Sequence, residues 1–178
     1  MAGFGVTGAP SASTLPPPVG GTGRPVTLGP ADAAKIARFN SLLRGRQISP
    51  DVVELAKGEH AFYRFKADAG RYCYSVSTPG SASKFGPLMC GEGFPSTQVP
   101  LLDMSVVEAS SMQSPHFINV RGFASDAVAR VGLATSDGKI VASVPVINNT
   151  YELTDLPEQP VSTVIPLGRD GARLTKIP

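Results

Sequence analysis

Cysteine, histidine and carboxylate side chains are the residues of this sequence whose types and spacing could do chemistry. Cys73 and Cys90 are the two thiols, 17 positions apart. Cys73 falls in the middle of an alternating run and Cys90 ends the next apolar run, FGPLMC. Neighbouring antiparallel strands could bring the two within bridging distance. A Cys73–Cys90 disulfide is the expectation, closing a loop worth roughly 3 kcal/mol in the chain-entropy treatment. It implies an oxidising compartment. The alternative is a pair of buried thiols acting as small hydrophobes. The two histidines, His60 and His116, lie far apart and no Cys-x-x-Cys pattern accompanies them. They supply no tetrahedral zinc set. No Gly-x-Ser-x-Gly elbow is present, and both imidazoles read as solvated residues at a loop or strand start.

The remaining chemistry is equally sparse. Asp103 and Glu108 are the one carboxylate pair in or near a single strand. Five positions apart, they point to opposite faces, with Asp103 expected in solvent. Glycoside chemistry needs two carboxyls in one cleft. Phosphate loops are missing, since the Gly20-Gly21-Thr22-Gly23 run has no strand before it. Asn148-Asn149-Thr150 matches a glycosylation sequon, although Asn in a turn is explained by its tolerance of left-handed φ. Tyr72 and Tyr74 share a strand face and could line a pocket, but core packing accounts for them better. The sequence therefore predicts no catalytic residue, no metal ligand and no cofactor.

The elements that must position these residues follow from composition and periodicity. The chain has 178 residues, 19 Gly, 17 Pro and a formal charge of +2. Such a composition favours many short strands. The near-neutral charge, without a basic stripe, argues against nucleic acid as a partner. No window reaches the ~18–20 apolar residues of a membrane span. Residues 1–30 hold 13 Gly or Pro and read as a disordered Gly/Pro-rich tail. Residues 31–58 read as a short helical segment. A first helix runs through ADAAKIARFNSLLRG, with Ile36, Phe39 and Leu43 on one face and Gly45 as its stop. A second helical turn is expected in ISPDVVELAKG, opened by Ser49 and Pro50 and ended by Gly58.

Residues 59–178 read as a β domain. Ala61, Tyr63 and Phe65 alternate on one face, and Asp68-Ala69-Gly70 turns the chain into RYCYSVST. There Tyr72, Tyr74 and Val76 oppose Cys73, Ser75 and Ser77. One strand is expected in VPLLDMSVVEAS, with Leu102, Met104 and Val106 inward, and another near residues 117–123. Residues 126–156 read as a three-stranded meander. Its turns fall at Asp137-Gly138, expected to be type I′, and at Asn148-Asn149. A closing hairpin turns at Asp170-Gly171. The sum is a mainly β fold, a β-sandwich, Ig-like or similar, of about 9–10 short antiparallel strands, preceded by one or two short helices.

Two segments carry a family resemblance. FNSLLRGRQISPDVV has a Phe-x-x-x-Leu-Arg segment ahead of an Asp- and Pro-containing turn. GFASDAVARVGLATSDGKIVASVPVINNTYEL leads a Gly-x-x-x-Asp-x-Val-x-x-Val run into an Asp-Gly hairpin, a Val-Pro-Val strand and an Asn turn. Over roughly residues 37–177 the chain resembles uncharacterised, small exported or membrane-anchored β-domain proteins of high-GC actinobacteria. That resemblance implies an extracytoplasmic location and a β fold, and transfers no catalytic or binding residue. The first twenty residues have neither a positive n-region nor an apolar h-region, which by itself points to the cytoplasm. The cysteines point outward, so the expectation is an exported protein whose leading hydrophobic segment, and any membrane tether it provides, lies outside this chain. The functional expectation is a non-catalytic interaction module with a protein partner. A self-assembling coat subunit is the alternative, and a small-ligand carrier or enzyme the second.

Overall fold

Period-two alternation and Gly/Pro punctuation divide the described residues into one α-helix and a series of short strands. The computed structural model describes residues 23–43, 47–90, 100–108, 116–154, 156 and 161–174. Most of the expected tail and the helix stop at Gly45 lie outside these residues. Helix α1 spans Pro30–Leu42, with Pro30 at a position that needs no intrahelical N–H. The strands are β1 (Arg24–Pro25), β2 (Ile48–Lys57), β3 (Ala61–Ala67), β4 (Tyr72–Val76), β5 (Leu88–Met89) and β6 (Leu101–Asp103). They continue with β7 (Val106–Glu108), β8 (His116–Ala124), β9 (Arg130–Ala134), β10 (Ile140–Pro145), β11 (Thr150–Leu153) and β12 (Thr163–Leu167). All pairings are antiparallel. One sheet runs β1-β2-β3-β4-β5, a second β10-β9-β12 and a third β11-β8-β6, with β7 also on β8.

Three features differ from the sequence reading. The second helical turn does not form, because residues 48–57 are strand β2, hydrogen-bonded to β3. Ser-Pro-Asp is a helix-opening signal, but Val52, Val53 and Leu55 bury on a sheet, and pairing with β3 decides the outcome. Pro50 is accommodated where the register shifts between Ile48 and Val52. The sheet therefore begins well before residue 59, and Arg24–Pro25 of the expected tail is its first strand. Finally, the segment read as one strand in 101–108 forms two, β6 and β7.

The five-stranded sheet is covered on both faces. On one, Ile48, Val52, Ala61, Tyr63, Phe65 and Cys73 pack with Ile36 of α1 and with Phe85. Phe39 and Leu43 join them, as the helical spacing predicts. On the other face Leu55, Phe62, Tyr74 and Val76 meet Phe123 of β8. The Phe62 and Phe123 rings meet edge-on at 5.5 Å, and Tyr74 lies 4.8 Å from Phe123. The far side of β8 carries Val120 and Ala124, which pack with Val131, Leu133 and Val144 of the β10-β9-β12 sheet. Asp32 anchors α1. Burial opposes its ionisation, but hydrogen bonds from the Gly29 and Lys84 amides and the Ser83 hydroxyl, with the Lys84 charge, hold its carboxyl below the usual range.

The turns sort into two geometries. At Asp137-Gly138 only the glycine is left-handed, φ 82, so the turn is not type I′. Thr135 N–H donates to Lys139 O at 3.0 Å and Gly138 N–H to Thr135 O at 2.9 Å, the pattern of a three-residue loop with a glycine bulge. The Asp137 carboxylate accepts from the Lys139 amide, which organises the loop. Asp170-Gly171 repeats it: Gly171 has φ 76, Gly168 N–H donates to Ala172 O, and Ala172 N–H donates to Asp170. The closing hairpin is short, with Arg173 bridging to Leu167 and residues 175–178 outside the described set. The two-residue turn with both positions left-handed occurs at Asn148-Asn149, φ 49 and 63, between Ile147 and Thr150. That turn does not close a meander. β10 stays beside β9, whereas β11 pairs with β8, so the chain changes sheet there.

Gly138 isolates the cost of a left-handed residue. A Cβ there would find only the Arg173 nitrogens, at 3.9 Å, so no clash intervenes. Gly138→Ala is expected to lose about 1–2 kcal/mol in denaturant unfolding, and Gly138→Asn appreciably less. Equal stability of the alanine variant and the parent would contradict the glycine-bulge geometry.

Candidate functional site

The polar groups that the structure gathers lie where β11 and β8 face the β2–β3 end of the five-stranded sheet. Residues 120–124 of β8 alternate, whereas nearer its start the pairing with β7 shifts register and Phe117 packs with the same cluster as Val120. Val120 and Ala124 face the β10-β9-β12 sheet, which leaves Arg121 and Phe123 facing the five-stranded one. Glu152 is the cross-strand partner of Arg121 on β11 and shares its face. His60, at the start of β3, completes the group.

His60 departs most from its expected setting. It is 6 % exposed rather than solvated. Its Nδ1 lies 2.5 Å from Glu152 Oε1, and its backbone N–H donates to Glu152 Oε2 at 3.4 Å. Gly58 makes room for this carboxylate, since a Cβ there would sit 2.8 Å from Glu152 Oε2. One carboxylate thus clamps the β2–β3 connection onto β11. The contact occupies Nδ1 of the imidazole.

Arg121 is treated differently. Its backbone is satisfied by Ser105, whose Oγ accepts from Arg121 N–H at 3.1 Å. Its Nε and Nη1 are buried with no hydrogen-bond partner among the described residues. Burial lowers the guanidinium pKa, against the charges of Glu152 and Glu59, which raise it; the side chain remains a cation at neutral pH. Beside it lies a cavity of 360 Å³ between the two sheets. Val76, Pro87 and Met89 line it from one sheet, and Met104, Ser105, Asp103 and Arg121 from the other. Asp103 is exposed, as the sequence predicts, and accepts hydrogen bonds from the Ser105 amide and hydroxyl and from Tyr151 Oη at 3.3 Å. Gly122 permits this arrangement, because a Cβ would fall 2.5 Å from Tyr151 Oη and 2.3 Å from Leu102 O.

The other expected residues distribute as follows. Cys73 and Cys90 form a disulfide joining β4 to the segment after β5. Glu108 ends β7, and its side chain lies outside the described residues, as does that of His116, whose backbone opens β8 instead of sitting in a loop. Tyr74 is fully buried, and burial pushes its phenol far above the ordinary tyrosine range. Tyr72 stacks under Arg64 at 4.9 Å. Neither tyrosine lines the cavity. Asn148 is exposed with its amide 3.4 Å from Leu55 O, while Asn149 is buried and ties the turn to Ala124 O and Asp126. Among the described residues no cluster of His, Cys, Asp and Glu is arranged for a metal, and no helix is long and apolar enough to cross a membrane.

Sequence reasoning missed Arg121 and Glu152. The available signal was a cation inside the apolar strand FINVRGFA, two positions before Phe123 and therefore on the same face. The His60–Glu152 contact gives a direct test. Glu152→Ala should cost roughly 1–3 kcal/mol of unfolding free energy, because it strips a buried imidazole of its partner. Adding His60→Ala to that variant should cost much less than it does alone; additive losses in the double-mutant cycle would contradict the clamp. No protein-family model, no curated protein and no solved structure matches the chain.

Proposed function

We propose that this chain is a non-catalytic extracytoplasmic interaction module of β-sandwich type. The Cys73–Cys90 disulfide carries the reading. Two cysteines in the whole sequence, both spent on one cross-link between neighbouring strands, fit a domain built for an oxidising compartment. The sheet-on-sheet packing around Phe123 supports the sandwich. The bridge lies within one sheet rather than between sheets, so the architecture is sandwich-like without the inter-sheet disulfide of antibody domains. The non-catalytic part draws support from the burial of His60, which is 6 % exposed and offers little imidazole surface to a substrate. For a partner surface, the protein offers a groove of 610 Å³ between α1 and Ser81–Ser83, where Phe39 and the exposed Leu42 lie beside Arg38. A protein segment with acidic and apolar side chains complements it. The resemblance to exported actinobacterial β-domain proteins points the same way.

Thiol alkylation of the protein taken from its native host, followed by mass measurement, tests the compartment. The expected result is no label before reduction and two labels after it. Two readily alkylated thiols without reduction would overturn the extracytoplasmic reading.

A further inference from the structure

We propose that the groove between α1 and Ser81–Ser83 takes an extended segment of a partner protein carrying an acidic and an apolar side chain two residues apart. This rests on the reading of the chain as an interaction module, and it fixes the conformation, the anchor residues and the spacing of the segment bound.

Three observations converge on it. The first is charge. Lys35 and Arg38 are the charged residues of the lining, and no acid accompanies them. Asp32, the one acid of α1, is 3 % exposed and is matched by Lys84 at 3.6 Å. Lys35 donates to Phe85 O at 2.5 Å, whereas the Arg38 guanidinium has no partner among the described residues. The second is apolar surface one turn away. Leu42 is 67 % exposed, the most of any large hydrophobic side chain among the described residues, and half-buried Phe39 borders the same groove. Arg38 and Leu42 lie about 6 Å apart along the helix axis. Two residues of an extended chain span about 6.6 Å and point to one face. A carboxylate and an apolar side chain at i and i+2 therefore reach Arg38 and Leu42 together.

The third is the opposite wall. Ala82 is exposed, and its N–H and C=O have no protein partner among the described residues. An extended backbone can bond to such groups, whereas a helix satisfies its own. The same features decide between occupants. The first 22 residues of this chain contain no Asp or Glu, so they bring no carboxylate side chain to Arg38. A flat anionic bilayer would meet Leu42 and leave the concave wall of Ala31, Ala34 and Ala82 uncovered. A carboxylate matches the guanidinium with two parallel N–H···O bonds, and a neighbouring Leu, Ile or Phe side chain of the segment covers Leu42 and Phe39.

The test is a titration of the full chain, followed by backbone 15N–1H shifts, with two acetylated and amidated pentapeptides, Ser-Glu-Ser-Leu-Ser and Ser-Leu-Ser-Glu-Ser. At least one of them should give saturable shifts clustered at Ala34, Arg38, Leu42 and Ala82. Replacing its Leu by Ala should weaken binding at least about tenfold, and replacing its Glu by Gln by up to about fivefold. Arg38→Gln should erase that Glu–Gln difference, and Arg38→Lys should restore part of it. Arg38 is exposed, so neither variant threatens the fold. Thiol alkylation reads the compartment separately: free thiols with peptide binding intact would count against the extracytoplasmic reading alone. The groove proposal is overturned if neither pentapeptide gives saturable shifts there, if a peptide with Lys in place of Glu binds as well, or if Arg38→Gln keeps the Glu–Gln difference. It is equally overturned if phosphatidylglycerol vesicles move these resonances and the peptides do not.

Discussion

The burial of β3 and β4 on both faces is the constraint on which the rest of the structure depends. Phe65 and Cys73 point one way, toward α1 and Phe85; Phe62, Tyr74 and Val76 point the other, toward Phe123. Each buried aromatic of this kind contributes roughly 1.5–3 kcal/mol of transfer free energy. A sheet with one wet face would need only half of these residues. Here every position from Ala61 to Tyr63, and again from Cys73 to Val76, is buried. The strand is therefore fixed in register from two sides, since a slip of one residue would misplace both sets. The disulfide from Cys73 then fastens the segment after β5 to the same strand.

From that constraint the polar junction follows. Phe123 can reach Phe62 only if alternate residues of β8 face the five-stranded sheet, and this turns Arg121 inward with it. Glu152 comes along as the residue opposite Arg121. Two opposite charges thus enter one interface, yet the carboxylate closes on His60 and leaves the guanidinium beside a cavity. Gly58 and Gly122 let the backbone approach closely enough for Glu152 and Tyr151 to take these places.

Local signals in the sequence located what is determined locally. The spacing of Ile36, Phe39 and Leu43 identified α1, and alternation identified β3, β4 and their two faces. The cysteine pair is legible because Cys73 lies within one strand-like run and Cys90 ends the next apolar run. Failures arose where distant pairing overrode a local preference. Ser49-Pro50-Asp51 opens helices, but β3 claims that segment as a strand. Asp137-Gly138 adopts the glycine-bulge loop because the preceding Thr135 is held by Lys139 O, whereas the doubly left-handed turn falls to Asn148-Asn149. The sheet change at that second turn has no local signature. The His60–Glu152 contact, across 92 positions, was beyond any spacing argument.

Phe62, Tyr74 and Phe123 make the helix-covered sheet and the two sheets beyond it one cooperative body. Native-state hydrogen exchange in increasing denaturant measures this directly. The amides of Phe65 and Tyr74 on one side and of Val131 and Leu133 on the other are expected to merge into a single unfolding isotherm with a common free energy and slope. Two isotherms, with the β9 amides exchanging through an opening that leaves β3 and β4 protected, would contradict it.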